Sequence, residues 1–212
     1  MADSDSPKRI LDPSRPLRPT GFDAVYADGG TPPWDIGRPQ PAFLALADAG
    51  LLRGRVLDVG CGTGEHVLMV ARIGLDATGV DTASTAITRA ERKAADRGLT
   101  ARFVVRDALD LEGLGERFDT VLDCGFFHVL TDEDRIRFAA SLRSVVPAGG
   151  RYFMLCFSDR VQGNVGPRRV SRDEITATFE DGWRADSIEP AVIDVTYGSA
   201  GIPAWRASLT RT

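Results

Sequence analysis

Short apolar runs alternate with helical patterns from residue 55 onward. The apolar runs predict buried strands over residues 56–59, 75–81, 101–107, 118–125 and 149–158. Helical spacing of apolar positions predicts helices over residues 41–50, 64–73, 84–98 and 131–146. Because strands and helices alternate, the chain is expected to build parallel βαβ units with right-handed crossovers. The fold class is therefore α/β, with a doubly wound and mostly parallel sheet.

The helix over 131–146 has a recognisable start. Thr131 is an expected N-cap, and acidic residues fill the first turn that follows it. The spacing is interpreted as placing Ile136 and Phe138 on the apolar side of this helix.

The last part of the chain has a different pattern. Residues 182–190 and 204–212 look like two strands with no helix between them. An antiparallel hairpin at the edge of the sheet accommodates such a pair. Trp183 and Trp205, within these strands, are interpreted as core residues.

The first twenty residues contain four prolines among small and charged residues. Proline fixes φ and lacks a backbone donor, so residues 1–20 are expected to form a flexible arm. A plain tail and a lid over the site both remain open for this arm. Residues 21–212 are then expected to form a single domain.

The composition and charge of the chain argue against several classes of protein. The 212-residue chain carries a net charge of −4, which argues against a nucleic-acid groove. No apolar run approaches the roughly 20 residues that span a bilayer, and the N-terminus has no signal-peptide pattern. Three cysteines without a CxxC pair indicate reduced thiols in the cytoplasm. The oligomeric state is left open.

The strongest motif is a glycine-rich turn between the first predicted strand and the following helix. Gly60, Gly62 and Gly64 alternate with other residues, and Asp58 lies in the strand before them. Glycines let a ligand lie against the backbone at the carboxyl edge of the sheet. A tight structural turn would give the same bare pattern, but a buried carboxylate at Asp58 calls for a partner such as a cationic ligand group.

Acidic residues end the next three strands. Asp81 lies twenty-one residues beyond Gly60, at a position suited to accept both ribose hydroxyls of a nucleoside. Asp107, followed by Ala108, is placed to accept an adenine amino hydrogen. Asp123 ends the fourth strand, where polar and aromatic groups face whatever lies above the cofactor.

The spacing GxGxG differs from the GxGxxG of NAD sites. The acids Asp58 and Glu65 flank the turn and would disfavour a pyrophosphate. S-adenosylmethionine (SAM) carries a sulfonium and an ammonium group and no phosphate, so SAM is the preferred cofactor. A nicotinamide-dependent oxidoreductase is the competing interpretation.

The strings VLDVGCGTGEH, GVD, RDA and FDTVLDCGFFHVL together resemble the consecutive cofactor motifs of class I SAM-dependent methyltransferases. The resemblance runs from Arg55 to Phe157. It implies a Rossmann-like, seven-stranded sheet of order 3-2-1-4-5-7-6 with strand 7 antiparallel and helices on both faces. The cofactor-binding residues that it and the motifs suggest are Trp34, Asp58, Gly60, Cys61, Gly62, Gly64, His66, Asp81, Thr82, Asp107, Ala108 and Asp123.

The proline-rich segment, residues 32–41 (PPWDIGRPQP), precedes this core. Trp34 is either an apolar packing anchor or an aromatic face over the sulfonium. The segment resembles that of small-molecule methyltransferases related to thiopurine and tellurite-resistance enzymes. With DCGFFHVL, TDEDR and GPRRVSRDEI it is similar to mycobacterial heterocyclic-toxin methyltransferases, which implies O-methylation of hydroxyquinolones or quinone-like compounds.

Methyl transfer needs a nucleophile held in line with the methyl group and shielded from water. Trp34, Phe126, Phe127 and His128 are the candidate substrate-binding residues. His128 is also the candidate catalytic residue, either as a base or as a group that orients local backbone. An acidic hydroxyl that arrives ionised would need no base.

The expected function is thus SAM-dependent O-methylation of a small aromatic compound, with detoxification as the expected purpose. Methylation of thiols or thiopurines and a non-catalytic SAM-binding module are the alternatives. The loop 159–170 is expected to cover the site, and Arg168 and Arg169 either pair with an anionic substrate or remain solvated. Scattered histidines and carboxylates predict no metal site.

Overall fold

The computed structural model describes residues 21–27, 30–163, 166–197 and 200–212. The predicted flexible arm, residues 1–20, lies outside the described residues. The division into this arm and a single domain over residues 21–212 therefore stays a prediction.

A seven-stranded sheet forms the centre of the structure, in the order β3-β2-β1-β4-β5-β7-β6. The strands are β1 (Arg55–Val59), β2 (Asp76–Asp81), β3 (Arg102–Val105), β4 (Thr120–Cys124), β5 (Arg151–Phe157), β6 (Trp183–Ile193) and β7 (Ile202–Arg211). β1 to β5 pair in parallel, whereas β7 runs antiparallel to both β5 and β6. This order and the reversed seventh strand confirm the prediction, including the terminal hairpin.

The helices flank this sheet. They are α1 (Phe22–Ala27), α2 (Pro41–Asp48), α3 (Glu65–Arg72), α4 (Ser84–Asp96), α5 (Asp132–Val145) and α6 (Arg172–Thr178), with 3₁₀ segments at Ala108–Leu114 and Phe127–Val129. The sequence analysis did not predict α1 or α6. A signal for α6 existed, because Ser171 and Glu174 form a capping box at its start. None of the helices in the described part of the chain is long and apolar enough to cross a bilayer.

Alternation along the strands divides the core between the two faces of the sheet. In β5, Tyr152, Met154 and Cys156 pack into the cluster that contains α5 and α6. Phe153 and Leu155 point the other way, into the cluster that contains α2 and α3. Because successive side chains of a strand alternate in this way, one apolar run supplies both layers of the core.

The tryptophans of the terminal hairpin are buried, as predicted, with Trp183 5% and Trp205 3% exposed. The interpretation of Ile136 as part of the apolar side of α5 is wrong, since it is 69% exposed. Ile136 and Phe138 are two residues apart and cannot share one helical face. Arg135, the residue before Ile136, is buried instead, and its Cζ lies 4.5 Å from the centroid of the Phe127 ring.

Gly64 shows how the glycine turn is fitted to the helices beside it. Gly64 is the N-cap of α3, with a φ of 85°. A Cβ at this position would lie 2.7 Å from Phe103 Cε1 and 2.9 Å from the Cβ of Ala90 on α4. The third glycine of the motif therefore lets α3 begin directly against α4 and β3.

Replacing Gly64 with alanine is expected to lower the free energy of unfolding by about 2–5 kcal/mol. About 1–2 kcal/mol of this comes from the left-handed backbone conformation, and about 1–3 kcal/mol from the steric overlap. Gly98→Ala is the matched control, because Gly98 also has a positive φ but no atom lies within 4 Å of its added Cβ. Urea unfolding of both variants measures the difference. Equal losses in the two variants would contradict the steric explanation.

Candidate functional site

A cavity of about 950 Å³ opens at the carboxyl edge of the parallel strands. Its walls come from the glycine turn, the proline-rich segment, the ends of β2 and β4, the loop after β5 and the end of the β6–β7 hairpin. Ligand pockets usually measure about 300–1,000 Å³. The volume is therefore sufficient for a nucleoside cofactor together with a small substrate.

The glycine turn is held by the acid at the end of β2. Asp81 accepts hydrogen bonds from the amide of Gly62 at 2.8 Å and from that of Ala83 at 2.9 Å. Burial raises the pKa of Asp81, while these amide hydrogen bonds act in the opposite direction. Each carboxylate oxygen has lone pairs beyond those that the amides use, so Asp81 retains the capacity to accept ribose hydroxyls.

Asp58 supplies a negative charge behind the turn. Its side chain is 2% exposed, and neither carboxylate oxygen has a hydrogen-bond partner in the described part of the chain. His66 Nδ1 lies 3.7 Å from Asp58 Oδ2, and His66 Nε2 accepts the amide hydrogen of Gln40 at 3.2 Å. An uncompensated buried carboxylate is costly unless a positive group lies nearby. Asp58 therefore fits SAM, whose sulfonium and ammonium groups are cationic, and acts through its charge since its oxygens are not exposed to the cavity.

Glu65 does not act on the cofactor in the way that the sequence suggested. Its carboxylate accepts hydrogen bonds from Lys93 at 2.9 Å and from Arg97 at 2.8 Å. Burial raises the pKa of Glu65, but the hydrogen bonds from Arg97 and Lys93 outweigh this and lower the pKa. Lys93 of α4 and Arg97, which directly follows α4, thus balance the charge of Glu65. Of the two acids that flank the turn, Asp58 is therefore the one whose charge would still disfavour a pyrophosphate.

A polar clasp of Asp35, Thr63 and Lys93 joins the proline-rich segment to the glycine turn. The Thr63 hydroxyl donates to Asp35 Oδ2 at 2.8 Å, and Lys93 Nζ donates to Thr63 Oγ1 at 2.7 Å. Lys93 Nζ also lies 3.8 Å from Asp35 Oδ1. The clasp thus holds the proline-rich segment and the glycine turn against α4.

The opposite side of the proline-rich segment is held by the terminal hairpin. The Gln40 side chain donates to the carbonyl of Asp194 at 3.0 Å and accepts from its amide at 2.8 Å. Arg38 forms an ion pair with Asp194 at 2.7 Å, and the Thr196 amide donates to the carbonyl of Pro33 at 2.9 Å. The segment is therefore fixed at both of its edges.

Trp34 lines the cavity and is also packed against α1. Its Nε1 donates to the hydroxyl of Tyr26 at 2.9 Å, and its ring meets that of Phe22 edge-on at 5.9 Å. The Tyr26 hydroxyl lies 2.9 Å from where a Cβ on Gly62 would be. Both interpretations of Trp34 are thus compatible with its position, and Phe22 and Tyr26 of α1 line the cavity beside it.

Phe126 and Phe127 point to different places. Phe126 lines the cavity and lies over Gly60, where an added Cβ would be 3.1 Å from Phe126 Cβ. Phe127 is completely buried and packs against Phe179, with 5.8 Å between ring centroids. Phe127 therefore supports the wall from the core rather than facing a substrate.

Asp123 lies beneath the same wall. Its carboxylate accepts from the amides of Phe126 at 2.8 Å and Phe127 at 3.1 Å, and from the hydroxyl of Tyr152 at 2.7 Å. Burial raises the pKa of Asp123 to about 7, although these hydrogen bonds oppose the rise. In this position Asp123 caps the turn after β4.

Asp107 also has a backbone role. Its carboxylate accepts from the amide of Leu109 at 2.9 Å and so caps the 3₁₀ segment that follows. Ala108, next in the chain, lines the cavity.

His128 lines the cavity from the 3₁₀ segment after β4. Its Nδ1 accepts the amide hydrogen of Phe157 at 2.9 Å. Burial, with the positive charges of Arg135 and Arg169, lowers the pKa of His128 to about 3. The imidazole is therefore neutral at physiological pH.

The structure brings most of the predicted site residues to one cavity. Those that line it are Trp34, Gly60, Cys61, Gly62, Gly64, His66, Asp81, Thr82, Ala108, Phe126 and His128. Those that lie behind its walls are Asp58, Asp107, Asp123 and Phe127. Their roles toward a ligand stay predictions. The sequence analysis did not predict that Thr63, Lys93 and Gln40 hold the walls of the cavity, because their hydrogen-bond partners are distant in the chain.

Comparisons with known proteins agree with this geometry. The family described as "Methyltransferase domain" matches residues 56–150. The 2-heptyl-1-hydroxyquinolin-4(1H)-one methyltransferase of Mycobacteroides abscessus is 38% identical over 163 residues, which cover 76% of this chain and 72% of that protein. Probable thiol methyltransferase 2 of Arabidopsis thaliana is 30% identical over 196 residues, 90% of this chain and 86% of that protein.

Solved structures show the same similarity. A protein studied for the conversion of a disulfide bond into a thioacetal group during echinomycin biosynthesis superposes with a TM-score of 0.84 and 38% identity, over 92% of this chain and 93% of that one. Magnesium protoporphyrin IX methyltransferase of Synechocystis PCC 6803, solved with bound SAM, shares the fold with a TM-score of 0.62 and 17% identity, over 100% of this chain and 86% of that one.

Replacing Lys93 with methionine is expected to raise the Kd for SAM about tenfold, because hydrogen bonds from a charged donor hold Thr63 and Glu65 in place. Titration calorimetry measures this change. Arg92→Met is the control, since it removes one positive charge from the exposed side of the same helix and should leave the Kd within about twofold. Unaltered SAM binding by the Lys93 variant would show that the clasp does not position the cofactor turn.

Asp123→Asn tests the buried carboxyl group. Since its pKa in the folded protein is about 7 and that of an unfolded aspartate about 3.9, the folded state retains a proton that the unfolded state has lost between these pH values. The free energy of unfolding of the wild type should therefore fall by about 2–4 kcal/mol from pH 4 to pH 8, relative to the variant. Urea unfolding across this pH range measures the difference. Parallel pH dependence of the two proteins would contradict the raised pKa.

Proposed function

Because the chain belongs to the SAM-dependent methyltransferase family, we propose that it transfers the SAM methyl group to a hydroxyl oxygen of a small aromatic heterocycle or quinone-like compound. The observation that carries this proposal is the pair of aromatic side chains beside the glycine turn. Phe126 lies over Gly60, and Trp34 donates a hydrogen bond to the hydroxyl of Tyr26, which lies beside Gly62. A flat acceptor between such walls has its rings stacked and its reactive atom near the cofactor.

SAM, when bound, supplies an electrophilic methyl group on a sulfonium. The chain's own contribution is to hold the acceptor in line at about 3 Å and to exclude water. Ile193, Val195 and Ile202 of the terminal hairpin and Phe157 of β5 give the substrate side an apolar lining. Such a lining removes hydration from the acceptor oxygen and leaves it more nucleophilic.

The names of the two relatives suggest two different atoms, oxygen and sulfur, as the acceptor of the methyl group. The Mycobacteroides abscessus relative is named for a hydroxyquinolone, which favours oxygen. The Arabidopsis relative is named as a thiol methyltransferase, so S-methylation of a thiol or thiopurine is the second candidate function. A SAM-binding module without catalysis is the third. The cavity of about 950 Å³, which is large enough for a small substrate beside a nucleoside cofactor, argues against it.

We also propose a detoxifying role in the cytoplasm. Methylation of an acidic hydroxyl removes its charge and its reactivity, which suits the disposal of quinone-like compounds. The cysteines Cys61, Cys124 and Cys156 are unpaired thiols, as expected for a reducing compartment.

A substrate panel tests the proposal. The protein is incubated with SAM and with hydroxyquinolones, quinols, phenols, thiols or thiopurines, and products are identified by mass spectrometry. We expect S-adenosylhomocysteine and an O-methyl product with the hydroxyquinolones or quinols, and at least tenfold higher kcat/KM than for any thiol. Turnover of thiols alone would replace oxygen by sulfur as the acceptor. SAM binding without turnover of any compound would favour the non-catalytic alternative.

A further inference from the structure

We infer that His128 acts as a fixed hydrogen-bond donor to the acceptor oxygen, and that the acceptor reacts as an anion which has already lost its proton to solvent. This inference rests on the proposed O-methylation. It assigns His128 the role of selecting and orienting an ionised hydroxyl, in place of the role of a general base.

The first argument is the direction of the imidazole. Nδ1 accepts the amide hydrogen of Phe157 at 2.9 Å, so the lone pair of Nδ1 is engaged by the backbone of β5. A neutral imidazole carries its hydrogen on the other nitrogen. Nε2 is therefore an N–H donor and has no lone pair with which to take a proton.

The second argument is the position of this N–H group. Nε2 lies 3.2 Å from where a Cβ on Gly125 would be, and Gly125 has a φ of 84°. His128 and Gly125 both line the cavity. The absence of a side chain at Gly125 leaves the space beside Nε2 open to a ligand. The ring of Phe157 packs edge-on against the imidazole at 4.6 Å and restrains its rotation.

The third argument is the charge around the imidazole. Arg135 of α5 and Arg169 of the loop after β5 both act on it as positive neighbours. Cys124, at the end of the preceding strand, stays neutral because burial raises the pKa of its thiol. Glu174 lies 3.4 Å from Arg135 Nη1 and offsets part of its charge. The two guanidinium groups together disfavour an imidazolium and favour an anion at the same place. The surroundings thus oppose proton uptake by His128 and stabilise an oxyanion beside it.

The reaction balances without a protein base. The acceptor hydroxyl releases its proton to water before transfer, and its oxygen forms a bond to the methyl carbon as the carbon–sulfur bond breaks. The electron pair of that bond remains on sulfur, so the sulfonium becomes a neutral thioether. The products are the methyl ether, S-adenosylhomocysteine and one solvent proton.

A series of nitrophenols of different acidity tests the inference through the pH dependence of kcat/KM. If the phenolate is the reactive form, kcat/KM should rise with pH to a plateau, and the midpoint should follow the pKa of each phenol. A general base at His128 would need the unionised phenol. In that case kcat/KM would fall above the pKa of each phenol, and the inference would be overturned.

Two variants separate hydrogen bonding from packing. His128→Leu keeps an apolar side chain without a donor, and should lower kcat/KM for the phenols about ten- to a hundredfold with unchanged pH midpoints. His128→Gln retains an N–H donor and should recover most of this loss. Thiol acceptors should lose less than about threefold in the leucine variant, since sulfur is a weak hydrogen-bond acceptor. Calorimetry with SAM verifies that both variants remain folded. A glutamine variant no better than the leucine variant would contradict the donor role.

A binding measurement distinguishes failure of this inference from failure of the proposed function. Nitrophenolates absorb at longer wavelengths than nitrophenols, so absorbance titration with S-adenosylhomocysteine present gives the pKa of the bound phenol. We expect a lower pKa on the wild-type protein than in water, and a return toward the value in water in His128→Leu. O-methylation together with an unshifted phenol pKa would reject the inference alone. The absence of any O-methylation, with a lowered phenol pKa, would reject the proposed function alone.

Discussion

The hydrogen bond between Asp81 and the amide of Gly62 is the contact on which the site depends. It joins the end of β2 to the turn after β1, at the place where the strand order of the sheet reverses between β1 and β4. Ligands of doubly wound sheets bind at this reversal because the loops on either side diverge there. The same carboxylate that fixes the backbone also lines the cavity, so the shape of the turn and the predicted contact with the cofactor depend on one residue.

The charges of the site are divided between its two halves. Asp58 lies behind the glycine turn with no hydrogen-bond partner in the described part of the chain and with His66 Nδ1 at 3.7 Å, whereas Glu65 is paired with Lys93 and Arg97. Around His128 the charged neighbours are cationic. Under the proposed function, this distribution of charge favours a cationic donor next to an anionic acceptor, and their mutual attraction strengthens as water is removed.

The sequence predicted the strand order, the glycine turn and Asp81, because these follow from alternation, local motifs and a family resemblance. It did not predict what depends on distant contacts. Glu65 was interpreted as acting on the ligand, but its partners Lys93 and Arg97 lie 28 and 32 residues away. The orientation of His128 depends on an amide 29 residues away. Phe127 follows Phe126 directly, and only the 3₁₀ turn decides which of the two rings faces the cavity.

The two hydrogen bonds between the Gln40 side chain and the backbone of Asp194 affect when the site forms during synthesis of the chain. These residues are separated by 154 positions, so the wall that Gln40 and its neighbours form is completed only after nearly all of the chain has left the ribosome. Contacts of such sequence separation close slowly. Because β7 follows Asp194 in the chain and pairs with β5, the sheet itself is also completed only by the last residues. A nascent chain should therefore acquire its complete sheet and the capacity to retain a nucleoside at the same late stage.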